Sequence, residues 1–107
     1  MGLFDFLRGY DINKGVEEWK ASDQGILLDV RTAAEYRERH IPGSINIPLD
    51  EIGRAETKIP NREVPLFVYC LSGARSSQAV HFLKQHGYTN VKNIGGIGGY
   101  RGKATHQ

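Results

Sequence analysis

Pro65-Leu66-Phe67-Val68-Tyr69-Cys70-Leu71-Ser72-Gly73-Ala74-Arg75-Ser76-Ser77 is the stretch around which the rest of the chain is organised. Residues 66–69 are an apolar, β-rich run after a proline, the pattern of a strand covered on both faces, and the polar turn after Cys70 marks its carboxyl end. From Ser77 the period changes to that of a helix, with Ala79, Phe82, Leu83 and His86 in sequence, and Gly87 suits the left-handed residue that ends it. Cys70 therefore stands where open α/β sheets place their ligands. Residues 71–75 must turn sharply, so their backbone N–H groups can converge above the sulfur, while the helix N-terminus adds positive potential and Arg75 a guanidinium. Each of these favours a thiolate over a thiol. A lone cysteine at a strand end is otherwise commonly a small buried hydrophobe. The small and polar neighbours Ser72, Gly73, Ala74, Ser76 and Ser77, together with Arg75, favour the reactive reading.

Outward from this unit, residues 26–30 read as a second buried strand, which brings Asp29 and Arg31 to the same sheet edge as Cys70. Thr32-Ala33-Ala34-Glu35 has the form of a capping box and predicts a helix over residues 33–39; the one-turn spacing of Arg31 and Glu35 reads as a structural ion pair. Arg75 reads as binding an anion and holding the loop, or as pairing with a sheet-edge carboxylate such as Asp29, and the two roles are compatible. A turn at Pro42-Gly43 leads to a short strand in which Ile45 and Ile47 alternate with Asn46, and residues 49–55 read as a helix or helical turn. Residues 57–63 read as a polar connector and residues 91–94 as the last strand. At the other end, Asn13 is read as the N-cap of a helix through Lys20, with Val16 and Trp19 on its inner face. This alternation of strand and helix predicts a small parallel sheet with helices on both faces. Gly95, Gly96, Gly98, Gly99 and Gly102 permit positive backbone angles and close approach to another backbone, as a loop closing beside the thiol requires. Residues 103–107 read as a frayed tail.

A length of 107 residues with 39% hydrophobic and 24% charged residues gives room for one core. The net charge of +2, without a run of like charges, excludes a nucleic-acid arm and suits a small anionic substrate. The single cysteine excludes an internal disulfide, so the fold rests on its core, as in a reducing compartment. His40, His81, His86 and His106 show no metal-ligand spacing, and no metal or organic cofactor is expected. The start of the chain lacks a secretory pattern, and no stretch is long enough for stable membrane insertion, so a cytoplasmic location is expected. Leu3, Phe4, Phe6, Leu7 and Tyr10 form an apolar cluster expected to pack on the domain itself.

Asp29-Val30-Arg31, Glu35-Tyr36, His40-Ile41-Pro42-Gly43-Ser44-Ile45-Asn46-Ile47-Pro48, Cys70-Leu71-Ser72-Gly73-Ala74-Arg75-Ser76 and Gly95-Gly96-Ile97 together resemble the rhodanese family of sulfurtransferases, in its order and spacing. The resemblance implies an α/β rhodanese-like domain over residues 12–102, after an N-terminal apolar extension over residues 1–11 and before a tail over residues 103–107. It implies a thiosulfate sulfurtransferase in which Cys70 takes a sulfane sulfur from a small anionic donor, thiosulfate or a persulfide. Cyanide, a thiol or a protein acceptor would then remove that sulfur. Leu71, Ser72, Gly73, Ala74, Arg75 and Ser76 would bind substrate, and Asp29 and Arg31 would support the site. The family pattern has an aromatic residue, usually tryptophan, after the glycine pair; Tyr100 stands there, and Gly98-Gly99 replace bulkier residues. Two alternatives remain. One is a persulfide carrier or docking module. The other is a cysteine phosphatase or arsenate reductase, whose loops usually carry one residue more between cysteine and arginine and a histidine where Tyr69 stands.

Overall fold

The computed structural model describes residues 9–107; the apolar residues Leu3, Phe4, Phe6 and Leu7 lie outside them. Four strands, β1 (Ile26–Asp29), β2 (Ile45–Asn46), β3 (Leu66–Cys70) and β4 (Val91–Gly96), form one parallel sheet in the order β2-β1-β3-β4. Among the described residues four α-helices accompany them: α1 (Ile12–Lys20), α2 (Ala33–Glu38), α3 (Ala55–Lys58) and α4 (Ala74–Gln85). Short 3-10 segments span Leu49–Arg54 and Ile97–Gly99.

Every residue of β3 is buried, as a central parallel strand requires, and the period of two sorts its side chains into two cores. Leu66, Val68 and Cys70 join Leu28, Val30, Ile52, Ala55 and Ile59 beneath Ala79 and Leu83 of α4. On the opposite face, Phe67 and Tyr69 join Leu27, Ile41, Ile94 and Ile97 against Ile12 and Val16 of α1. The sheet is thus covered by helices on both faces, as the alternation of elements predicts. Cys70 stands at the carboxyl end of β3, on the α4 side.

Several local expectations are corrected. Asp11, not Asn13, caps α1, its Oδ1 accepting the Asn13 backbone N–H at 3.0 Å. Asn13 lies inside the helix because its amide has longer-range work: Nδ2 donates to Gly99 O at 3.0 Å and Oδ1 accepts Arg101 N–H at 2.8 Å. The glycine-rich segment is therefore pinned from α1. Helix α4 begins at Ala74 rather than Ser77, since Gly73 at φ 103° makes the left-handed turn that no side chain favours. Thr57 and Lys58, read as connector, close the short helix α3. Residues 103–107 do not fray: His40 and Thr105 exchange backbone hydrogen bonds at 2.8 Å in an antiparallel bridge, and Gln107 N–H donates to Arg37 O at 2.9 Å. Other expectations hold. Thr32 and Glu35 make the reciprocal capping box of α2, and Gly87 sits at φ 92° after α4.

Candidate active site

The strand-to-helix turn wraps the thiol in donors. Cys70 has 0% relative exposure, Gly73 N–H donates to its Sγ at 3.0 Å, and the hydroxyl of the equally buried Ser76 lies 3.3 Å from the sulfur. Both partners come from the turn and first helical residues, within six residues of the sulfur they face. Leu71 and Ser72 face solvent, Leu71 at 50% exposure, and Ala74 is also exposed. Of the sequence-predicted residues, Gly73 and Ser76 touch the sulfur, while Leu71, Ser72 and Ala74 form the outer wall of the turn.

Arg75 takes a partner that its spacing does not indicate. Its Nη1 and Nη2 donate to Glu35 Oε1 and Oε2 at 2.7 and 3.0 Å, a bidentate pair joining the start of α4 to the start of α2. The Arg75 pair, aided by the hydrogen bonds from Thr32 and opposed by partial burial, holds the Glu35 carboxyl down at about 2; Glu35 in turn raises the Arg75 guanidinium. The expected pairings of Arg75 with Asp29 and of Arg31 with Glu35 are both replaced.

Arg31 instead turns back on Asp29. Nη2 donates to Oδ2 at 2.6 Å, Nε bridges both carboxylate oxygens at 3.1 Å, and the Arg31 backbone N–H donates to Oδ1 at 2.8 Å. Both side chains are buried, and the carboxylate two residues back is the one that satisfies a buried guanidinium without leaving the sheet edge. Burial opposes the Arg31 charge, but the hydrogen bonds and field of Asp29 outweigh it and leave that guanidinium above its ordinary value. Arg31 Nη2 also donates to Arg39 O at 2.6 Å, fixing the end of α2. Asp29 faces Tyr69 across the sheet, one residue before Cys70. Burial first, and then the Asp29 charge, push the Tyr69 hydroxyl far above its ordinary value, and that neutral hydroxyl accepts Ile41 N–H at 3.1 Å.

Two further residues complete the site: Asn93, to which local sequence assigns no role, and Gly96 of the glycine-rich segment. Asn93 of β4 reaches under the loop: Nδ2 donates to Gly73 O at 3.0 Å, while Oδ1 accepts the Ser76 hydroxyl at 2.8 Å and Gly95 N–H at 2.9 Å. Gly96 faces Cys70 in the sheet register, and a Cβ there would stand 2.0 Å from Leu71 O. The close backbone approach expected of the glycine-rich segment is thus made at Gly96, and Gly98 N–H donates to the same carbonyl at 3.2 Å. Beside Arg75, a cleft of about 390 Å³ is lined by Val30, Thr32, Pro48, Leu49 and Asp50. Among the described residues no helix is long and apolar enough to cross a membrane.

Comparison with known proteins places this geometry in context. Residues 13–103 match the rhodanese-like domain family. The chain is similar to the thiosulfate sulfurtransferase PspE of Escherichia coli, 42% identical over 71 residues that cover 65% of this chain and 68% of that protein. It is also similar to the putative sulfur carrier protein YrkF of Bacillus subtilis, at 36% identity over 68% of this chain but only 40% of that longer protein. Among solved structures, a rhodanese with anions from E. coli superposes with a TM-score of 0.72 at 36% identity, covering 78% of this chain and 99% of that one.

Proposed function

The chain belongs to the rhodanese family, and from that premise we propose that it is a thiosulfate sulfurtransferase working through a Cys70 persulfide. The observation that carries this reading is the pair of groups on one sulfur, Gly73 N–H at 3.0 Å and the Ser76 hydroxyl at 3.3 Å, which can stabilise a sulfur anion.

In the first half-reaction the Cys70 thiolate attacks the outer sulfur of thiosulfate. The new S–S bond forms as the sulfur–sulfite bond breaks, sulfite leaves with the electron pair, and Cys70 carries the persulfide anion. In the second, cyanide or an acceptor thiolate attacks the terminal sulfur, the S–S bond breaks and the Cys70 thiolate returns. Sulfite and the restored thiolate are both good leaving anions, so neither step needs a general acid, and backbone N–H donors suffice. A persulfide lengthens the side chain by one S–S bond, about 2 Å, and carries the transferable sulfur outward from a thiol that is itself covered. Arg75, tied to Glu35, acts chiefly by anchoring the loop and adding positive field. Such a thiol cycle suits a reducing compartment, and a cytoplasmic location belongs to this proposal.

Steady-state rates with thiosulfate and cyanide varied together test this reading; it predicts parallel double-reciprocal lines, the signature of a two-step exchange, and intersecting lines would overturn it. The similarity to a protein named as a sulfur carrier supports a second reading, delivery to a protein thiol, with the exposed Leu71 as a contact. Poor turnover with small acceptors but fast discharge to a protein thiol would select it.

A further inference from the structure

We propose that Asn93 is a positioning residue that governs the ionisation of Cys70 by dictating where the Ser76 hydroxyl proton points. The inference rests on Cys70 being the reactive group, as in the reading above.

The orientation of the Asn93 amide is fixed by two backbone groups that can each play only one part. Gly95 N–H can only donate, so the atom 2.9 Å away is the amide oxygen; Gly73 O can only accept, so the atom 3.0 Å away is the amide nitrogen. That oxygen then faces the Ser76 hydroxyl at 2.8 Å and can only accept from it. Ser76 has one proton. With it committed to Asn93, the oxygen presents a lone pair to Cys70 Sγ at 3.3 Å, an arrangement complete for a thiol, whose S–H can donate to Ser76.

Loss of the thiol proton reverses the requirement at the sulfur. A thiolate facing the Ser76 lone pair is repelled, so the hydroxyl must swing its proton from Asn93 to Sγ. Asn93 Oδ1 keeps Gly95 N–H after that swing and is not left unsatisfied, which makes the exchange accessible. Asn93 thus favours the resting thiol, and releases Ser76 as a second donor, beside Gly73 N–H, when the sulfur becomes an anion. Its other arm, Nδ2 on Gly73 O, keeps that N–H aimed at the sulfur throughout.

The test is the pH dependence of ultraviolet thiolate absorbance, specific here because Cys70 is the only cysteine, with Cys70→Ser as the blank. It is measured in the wild type, Asn93→Ala, Ser76→Ala and the double variant. Asn93→Ala frees the Ser76 proton for the sulfur, and the ionisation midpoint is expected to move down by about half a unit or more, the scale of the one neutral hydrogen bond, Ser76 to Asn93, that ionisation no longer has to break. In the Ser76→Ala background the same substitution is expected to give no downward shift. Equal shifts in both backgrounds, or no downward shift with Ser76 present, would overturn the proposal. Should Asn93→Ala not fold, Asn93→Asp keeps the side-chain shape and the acceptor facing Ser76. Its midpoint is expected to rise, with part of that rise lost in Ser76→Ala; a rise of the same size in both backgrounds would likewise overturn it. No sulfur donor is present, so failure of sulfur transfer and failure of this coupling are read separately.

Discussion

Replacing Gly96 by alanine adds one methyl group, and the structure says where it goes. The Cβ would lie 2.0 Å from Leu71 O, 2.6 Å from Leu71 C and 2.6 Å from Ser72 Cα, all of them backbone atoms. Ordinary contact begins at 3.4 Å, so the Leu71 carbonyl must retreat by about 1.4 Å. Gly96 itself is in extended backbone, φ −126° and ψ 138°, which alanine adopts freely. The cost therefore falls on the loop, because β4 is held in register with Cys70 by the sheet. Overpacking of this kind costs about 1–3 kcal/mol, and loss of the Gly98 N–H to Leu71 O bond adds about 1 kcal/mol. A loss of about 2–4 kcal/mol lowers the melting temperature by roughly 10–20 °C in a domain of this size. The effect on rate is larger in proportion. Gly73, whose N–H donates to Sγ, is two residues beyond the displaced carbonyl, and a misplacement of about 1 Å at a reacting centre can cost about 100-fold. Single-turnover persulfide formation and thermal melting by circular dichroism read the two effects. Gly53→Ala, with nothing within 4 Å, is the neutral control, and Gly98→Ala, at 3.3 Å from Leu71 O, should fall between. A Gly96→Ala protein with the melting temperature and rate of the wild type would refute the argument.

Glu35→Gln breaks the bidentate pair that anchors Arg75 to α2, and its cost is pH-dependent. The folded carboxyl titrates at about 2 against an ordinary 4.5. Its stabilisation is therefore full well above pH 4.5 and is lost as pH falls toward 2. With both side chains about one-third exposed, solvent screening brings the effect at pH 7 to about 1–2 kcal/mol. Urea melts of wild type and variant should differ by that amount at neutral pH and by less than half of it at about pH 3; a constant difference would contradict the assignment. Asp29→Asn leaves the buried Arg31 without its counter-charge and should cost about 3–5 kcal/mol in urea melts. Arg31 then keeps its bond to Arg39 O but no opposite charge, so a variant as stable as the wild type would sink the buried-pair account. Removal of residues 103–107 deletes both hydrogen bonds of the His40–Thr105 bridge and should lower stability by about 1–3 kcal/mol in the same assay; no change would mean the segment contributes nothing.

What can be read from the sequence is local in origin. The apolar run of β3 followed by small residues and an arginine announces a strand, a turn and a helix, because each signal lies within a few residues of its effect. The Thr32–Glu35 capping box and the left-handed Gly87 are of the same kind. Ion pairing is misread for the opposite reason. Spacing offers Glu35 to Arg31 and the shared sheet edge offers Asp29 to Arg75, whereas the tertiary arrangement exchanges the partners, since α2 turns Glu35 toward the first residues of α4. Asn93 gives no local signal: its partners Ser76 and Gly73 lie 17 and 20 residues away, and an asparagine in a short strand looks ordinary until the sheet brings β4 beneath the loop. Asn13 reads as a cap because caps and asparagines in a first helical turn share a sequence signature; Gly99 and Arg101, far along the chain, decide between them.

The central claim is that Cys70 carries a transferable sulfur, and intact mass after incubation with thiosulfate tests it most directly. The account predicts a gain of one sulfur atom, about 32 Da, that cyanide removes and that Cys70→Ala never acquires. A reduced wild-type protein that stays unmodified with thiosulfate and with a persulfide donor alike, or a Cys70→Ala protein that gains the same mass, would contradict it.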